Sequence, residues 1–179
     1  NIALLTLEIP NTNFLTLDLT TNTALQTLNV SDSKLFSLNL KTNTSLTYLD
    51  MSKTSIGYMS LRIFDNTALE TINISETTLT TLDLSNHPAL TQVTAQNSTA
   101  LKSLDIKNGN NTNMTIFDTT GSTNLTCVNV DDVAYATANW TNIESSTNFN
   151  TVGCATTTIT DDNFEAFLEA NGMGNGIVG

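Results

Sequence analysis

The chain has 179 residues, a formal net charge of −11 and only six basic residues, so nucleic acid and anionic membranes are poor partners for it. No apolar stretch approaches the roughly 18 residues that a membrane span needs, and membrane insertion is not expected. Aromatic residues make up 6% and charged residues 13% of the chain, and abundant threonine, asparagine and serine favour a β-rich, extracellular protein.

Pairs of apolar residues separated by one residue recur along most of the chain. Such alternation is the periodicity of a β-strand with one buried face. The first members of successive pairs lie 10 to 13 residues apart. The pairs are Leu7/Ile9, Leu17/Leu19, Leu28/Val30, Leu38/Leu40, Leu49/Met51, Met59/Leu61, Ile72/Ile74, Leu82/Leu84, Val93/Ala95, Leu104/Ile106, Phe117/Thr119 and Val128/Val130.

One coil of the predicted structure contains two such pairs, about 21 residues. Ten residues rising about 3.3 Å each span only about 33 Å, which leaves little core between two walls about 10 Å apart. The pairs also alternate in type, because asparagine follows one kind (Asn22, Asn43) and serine or threonine follows the other (Ser33, Thr77). The sequence therefore predicts a β-rich solenoid whose stacked coils share one core. Longer spacings predict bulged loops at residues 63–66 and 108–113.

Asn22 and Asn43 are predicted to satisfy backbone groups of neighbouring coils that would otherwise be buried without partners. His87, the only histidine, occupies the same slot in its own coil and is interpreted as a substituted turn residue. With that histidine assigned to the repeat, no Ser-His-Asp set can be assembled. The sequence therefore predicts a protein that is not an enzyme.

The outward-facing strand residues are the candidate binding surface. In the asparagine-type units they are Asp18, Asn39, Ser60, Asp83 and Asp105. In the units of the other type, the outward-facing residues are predicted to form a recognition face. They are Thr27, Asn29, Tyr48, Asp50, Thr71, Asn73, Gln92 and Thr94. Tyr48 is the expected anchor, because exposed aromatic residues contribute strongly to protein interfaces. The alternative is that these side chains only solubilise the sheet.

Asp83 and Asp105 are predicted to be neighbours in successive coils, where most other acids alternate with neutral residues. They are a candidate calcium pair, with a solvated face as the alternative. Since the chain contains no EF-hand motif and no glycine-rich calcium repeat, no cofactor is expected apart from calcium at this pair.

From Asp131 onwards the alternation stops, and the chain is predicted to cap the last coil, which would otherwise expose apolar surface and an open sheet edge. Residues 134–140 favour a short helix, and Trp140 and Phe149 are the expected covering side chains. Cys127 and Cys154 are predicted to form a disulfide that ties this cap to the last strand, with two free thiols as the alternative.

The predicted organisation is therefore repeats at residues 1–130, a cap at 131–155 and a short helix at 156–179, with little other regular helix. The helix is expected at residues 161–171, where Phe164, Phe167 and Leu168 share one face.

The repeats resemble the 21-residue leucine-rich repeats of secreted proteins from Flavobacteria and other Bacteroidetes. The resemblance rests on residues 82–90 (LDLSNHPAL), 22–28 (NTALQTL), 107–113 (KNGNNTN) and 124–142 (NLTCVNVDDVAYATANWTN). Residues 161–172 (DDNFEAFLEANG) are similar to the start of a further repeat block in such proteins. The resemblance implies a right-handed leucine-rich-repeat coil, secretion or display on a bacterial cell surface, and a role in adhesion. We also expect the chain to be part of a longer, processed protein.

The sequence therefore predicts a non-enzymatic binding module that meets a protein on a cell surface through its sheet face. The alternatives are a carbohydrate-binding module that recognises a surface glycan, or a structural spacer within a larger surface protein.

Overall fold

The chain forms a parallel β-solenoid with short strands on two walls, and from the second strand to the eleventh the strands alternate between the walls along the sequence. The computed structural model describes residues 2–154, apart from the side chain of Tyr58. Numbered in chain order, the strands of the first wall are β1 (Thr6–Glu8), β2 (Thr27–Asn29), β4 (Tyr48–Asp50), β6 (Thr71–Asn73), β8 (Gln92–Thr94) and β10 (Ile116–Asp118). Those of the second wall are β3 (Leu38–Asn39), β5 (Leu61–Arg62), β7 (Thr81–Asp83), β9 (Ser103–Asp105), β11 (Cys127–Asn129) and β12 (Asn148–Asn150). The predicted β-rich solenoid is confirmed.

Each strand of the first wall lies beside its counterpart one coil later. Leu28 pairs with Leu49 and Leu49 with Ile72, and the same register runs from Leu7 to Phe117. Successive strands of this wall are therefore 21, 21, 23, 21 and 24 residues apart. A further bridge between Asp118 and Asn142 extends the stack to about seven turns.

The apolar pairs point inwards and form one continuous core. Leu28, Leu49 and Ile72 on the first wall are fully buried, as are Leu40 and Leu84 on the second. Because alternate strand residues point to opposite faces, the residues between them face outwards. Each fully buried leucine or isoleucine contributes about 1.5–3 kcal/mol of hydrophobic stabilisation, so the periodicity of the sequence is also the main source of stability.

The third coil differs from the sequence-based assignment of a Met59/Leu61 pair. Leu61 and Ile63 fill the inward positions, whereas Met59 is 75% exposed. The reason is a short 3₁₀ helix at Tyr58–Ser60 that lengthens this coil ahead of the strand. Consequently Arg62, and not the predicted Ser60, is the outward-facing residue of β5.

The bulge expected at residues 63–66 is therefore also wrong, because Asn66 takes the regular asparagine position at that turn. The second expected loop, at residues 108–113, is present and contains a 3₁₀ helix at Asn111–Asn113.

The predicted inner asparagine ladder is confirmed. The Asn43 side-chain nitrogen donates hydrogen bonds to the carbonyl oxygens of Leu19 (3.0 Å) and Asn22 (2.8 Å). Asn66 repeats both bonds one coil later. His87 takes the next position and is fully buried.

One residue per coil adopts a left-handed backbone at the turn that follows the first wall. These residues are Asn11, Asp32, Lys53, Glu76, Asn97 and Gly121. Glycine, asparagine and aspartate reach this conformation at little cost, whereas lysine and glutamate are strained there. The recurrence of the conformation indicates that the turn geometry is imposed by the stack.

A short helix lies between β11 and β12, near the C-terminal end of the described coils. This helix, α1, spans Val133–Asn139, and the Asp132 side chain caps it by accepting a hydrogen bond from the Tyr135 backbone nitrogen. The Trp140 ring stacks on Phe117 with 4.4 Å between ring centroids and is only 4% exposed. The helix expected at residues 134–140 is thus present, and Trp140 covers the core as predicted.

The predicted disulfide is also confirmed, because Cys127 in β11 is bonded to Cys154. The second wall continues through β12, which pairs in parallel with β11 inside the segment predicted as a cap. The helix predicted at residues 161–171 lies outside the described residues.

Candidate functional site

The eight residues of the predicted recognition face lie together on the first wall as two columns. The register places Thr27, Tyr48, Thr71 and Gln92 in one column and Asn29, Asp50, Asn73 and Thr94 in the other. All eight are partly exposed, while the residues between them are buried. Adjacent strands are about 4.8 Å apart, so the patch extends about 14 Å along the solenoid.

Hydrogen bonds to the following turn hold the second column in place. Asp50 accepts bonds at one carboxylate oxygen from the backbone nitrogen (2.9 Å) and hydroxyl (2.7 Å) of Ser52. Asn29 is held in the same way by Ser31. The side-chain nitrogen of Asn73 donates to the other Asp50 oxygen across the strands at 3.3 Å. These bonds fix the side chains of Asn29, Asp50 and Asn73 in this column.

Tyr48 is the only aromatic residue of the patch. Partial burial raises the pKa of its hydroxyl, and the negative charges of Asp50 and Glu8 raise it further. The phenol therefore stays protonated at neutral pH and is available as a hydrogen-bond donor. A half-buried ring with one polar end has the character of an interface anchor.

Both columns extend beyond the predicted face. Thr6 and Glu8 precede them on β1, and Ile116 and Asp118 follow on β10. Burial favours the neutral form of Asp118, but hydrogen bonds from Thr120 and Gln96 outweigh it and hold the pKa of Asp118 below its usual value. Glu8 and Asp118 occupy the same repeat position as Asn29, so the sequence analysis could have included these two residues in the face.

Asp83 and Asp105 lie side by side on β7 and β9, as predicted. One oxygen of Asp83 accepts hydrogen bonds from the Ser85 backbone nitrogen and hydroxyl. Asp105 accepts from the Lys107 backbone nitrogen and from Asn129. Among residues 2–154, no group of three or more histidine, cysteine, aspartate or glutamate residues is arranged to hold a metal ion. The calcium pair stays a prediction.

His87 is occupied by its structural role. Its Nε2 lies 3.0 Å from the carbonyl oxygen of Ile63 and is buried. Burial lowers the pKa of the ring below its usual value, so at neutral pH the ring is neutral and Nε2 donates to the carbonyl. A histidine in this state is not positioned to take a proton from a substrate.

Within the part of the chain that the structure describes, no helix is both long and apolar enough to span a bilayer.

Comparison with known proteins identifies the fold but no family. No family model matches the sequence, and no curated protein sequence matches it. Among solved structures, the chain is similar to the functional domain of InlJ from Listeria monocytogenes, which includes a cysteine ladder, with a TM-score of 0.57 and 24% identity. The match covers 70% of this chain and 30% of the InlJ chain, so this chain spans less than a third of that protein's length. In this chain the two cysteines, Cys127 and Cys154, form a disulfide with each other. The shared architecture is a leucine-rich-repeat solenoid.

Proposed function

We propose that the chain is a non-enzymatic module of a secreted or cell-surface bacterial protein, of the Flavobacteria and Bacteroidetes type, that binds a partner protein through the first wall. The observation that carries this proposal is the two-column patch around Tyr48. It presents an aromatic anchor inside a rim of hydrogen-bonded polar side chains on a rigid sheet. Repeat proteins use extended surfaces of this kind to bind other proteins.

Several features support the extracellular and non-catalytic parts of the proposal. A disulfide such as Cys127–Cys154 persists in oxidising compartments and is rare in the cytosol. His87 is committed to a backbone carbonyl. We also propose the division into repeats (1–130), cap (131–155) and the start of a following module (156–179). Binding is expected to need no cofactor, and calcium at Asp83 and Asp105 is the alternative.

The test is to present the purified chain to a panel of purified bacterial surface proteins and to a glycan array, each with calcium and with EDTA. A saturable protein partner is expected, and Tyr48→Ala or Asn73→Ala should weaken it. Truncating a central aromatic anchor costs about 2 kcal/mol or more, which corresponds to about a 30-fold rise in Kd. Asn39→Ala, an exposed change on the second wall, is the matched control.

Each other outcome has a distinct meaning. Binding to glycans alone would indicate a carbohydrate-binding module. Loss of binding in EDTA would support the calcium site at Asp83 and Asp105. No binding to either array would favour a spacer and contradict the recognition face.

A further inference from the structure

The two walls of the solenoid differ in charge. The strands of the first wall contain three charged residues, and all three are acidic: Glu8, Asp50 and Asp118. Glu70, the residue immediately before β6, adds a fourth carboxylate. None of the six strands described on this wall contains a lysine or an arginine. The first wall therefore attracts cationic groups and repels acidic ones.

The second wall carries charges of both signs. Its strands contain Arg62 as well as Asp83 and Asp105. Three lysines lie within two residues of the ends of its strands, namely Lys41, Lys102 and Lys107. Four of the six basic residues of the chain are thus on this wall, where they offset its acids. The charge of the first wall has no such compensation.

Lys53 is the basic residue nearest in sequence to the patch around Tyr48, and it is already paired. It lies in the turn after β4, and its Nζ is 3.7 Å from a carboxylate oxygen of Glu76. This is the only salt bridge among residues 2–154. Within the described chain, the acids of the first-wall strands and Glu70 therefore have no cationic partner.

Two of these acids are not required by the repeat. Asp50 holds its turn with the same two hydrogen bonds, from a backbone nitrogen and a serine hydroxyl, that Asn29 accepts in the preceding coil. Glu70 takes a position that Thr47 and Thr91 fill in the neighbouring coils. Neutral residues thus satisfy the fold at both positions, and the negative charge is a property of the surface alone.

Tyr48 lies among these carboxylates. Tyr48 and Asp50 are on the same side of β4, two residues or about 7 Å apart. Glu70 lies beside them in the next coil, where its backbone nitrogen bonds to the Thr47 carbonyl at 2.8 Å. Partial burial raises the pKa of the Tyr48 hydroxyl, and the charges of Asp50 and Glu8 raise it further. A half-buried aromatic ring among negative charges has the character of a site for a cation.

We propose that the partner of the first wall presents an arginine or lysine side chain that lies across the Tyr48 ring, with its charge between the carboxylates of Asp50 and Glu70. A cation within about 6 Å of the ring centre is attracted by the electrons of the ring face. The two carboxylates add charge-assisted hydrogen bonds. Arginine fits best, because its planar guanidinium stacks on a ring while its N–H groups donate at the edges. The inference rests on the function proposed above and specifies the chemistry of the partner.

The test uses the whole chain, isotope-labelled for NMR, and three end-capped peptides of the form Ser-X-Thr-X-Ser, in which X is arginine, citrulline or glutamate. Citrulline has the shape of arginine without its charge. The arginine peptide should give saturable shifts of the amide signals of Tyr48, Asp50 and Thr71. The citrulline peptide should bind about tenfold or more weakly, and the glutamate peptide should not bind.

Single substitutions locate the contacts. Asp50→Asn, Glu70→Gln and Tyr48→Leu should each weaken binding of the arginine peptide about two- to fivefold, the range for losing one exposed ion pair or cation–π contact. Asp132→Asn is the matched control, because it removes one negative charge at the cap of α1, where asparagine caps as well as aspartate. This variant should bind the peptide unchanged, and thermal melting checks that every variant folds.

The outcomes separate this inference from the proposed function. Absence of saturable shifts, equal binding of the arginine and citrulline peptides, or equal loss in Asp132→Asn would each overturn the cation site. A partner protein that is lost in Tyr48→Ala but unaffected by Asp50→Asn and Glu70→Gln would also overturn it, while leaving the first wall as a binding face. Absence of any protein partner for the first wall would instead contradict the proposed function.

Discussion

Replacing Asn66 with alanine tests whether the inner ladder holds neighbouring coils together. Asn66 is fully buried, and its side-chain nitrogen donates to the carbonyl oxygens of Leu40 (3.1 Å) and Asn43 (2.7 Å). Each carbonyl also accepts a backbone hydrogen bond, the first from Asn43 and the second from Leu46. The substitution therefore leaves both oxygens partly satisfied.

The magnitude follows from that partial satisfaction. An orphaned buried polar group costs about 1–3 kcal/mol, and a carbonyl that keeps one partner lies at the lower end of this range. Asn66 Oδ1 is itself buried without a partner within the described structure. Removing this unsatisfied acceptor is favourable and offsets part of the destabilisation. The small cavity adds to the cost. The expected destabilisation is about 2–3 kcal/mol.

Urea unfolding followed by far-ultraviolet circular dichroism measures this change. At about 2–4 °C per kcal/mol for a chain of this size, the corresponding loss in Tm is about 5–10 °C. Asn39→Ala is the matched control, because Asn39 is exposed and accepts one long hydrogen bond, 3.2 Å from the Lys41 nitrogen. Equal losses in the two variants would refute the idea that the ladder stabilises the stack.

Three further predictions concern pH, backbone geometry and the cap. Burial lowers the pKa of His87 in the folded chain, so the unfolded chain binds a proton more readily and the free energy of unfolding should fall as the pH drops below about 6.5. His87→Asn should remove this part of the pH dependence between pH 7.5 and 5. An equal change of the free energy of unfolding with pH in the variant and the unchanged chain, measured with urea, would contradict this reasoning. Gly121→Ala should cost about 1–2 kcal/mol for the left-handed backbone, plus displacement of the Asn97 side chain that the new methyl group would meet. Gly109→Ala has a similar backbone but open space around it, so equal losses in urea unfolding would show that the contact is unimportant. Reducing the Cys127–Cys154 disulfide should lower the free energy of unfolding by about 3–4 kcal/mol, because a loop of this length then gains entropy in the unfolded chain. Trp140 fluorescence follows the unfolding, and an unchanged melting temperature after reduction would show that the cap is held by packing alone.

The repeat pattern made most of the fold predictable, and one misassignment shows where it failed. Met59-Ser-Leu61 and Leu61-Arg-Ile63 both have the form of a strand pair, so alternation alone did not distinguish them. The asparagine position did, because Asn22 and Asn43 each follow the second apolar residue of their pair by three residues. Asn66 does so only if the pair is Leu61/Ile63. The ladder thus carried register information that the hydrophobic pattern lacked.

The candidate surfaces differ in how far they could be predicted. The columns around Tyr48 follow from strand alternation once the coil length is known, whereas their role in binding stays a prediction. The interruption of the second wall between β5 and β7 could not be derived in this way, because the residues of both strands match the repeat.

The stacking of the coils also sets fixed distances along the solenoid. Because every first-wall strand sits in register with the next, each coil shifts the surface by one strand spacing, about 4.8 Å. A coil duplicated in frame would add one residue to each column and keep the left-handed turn residue at its required place. The separation between a binding patch and the helical cap therefore changes only in whole steps, and evolution can retune the reach of such a surface without redesigning its contacts.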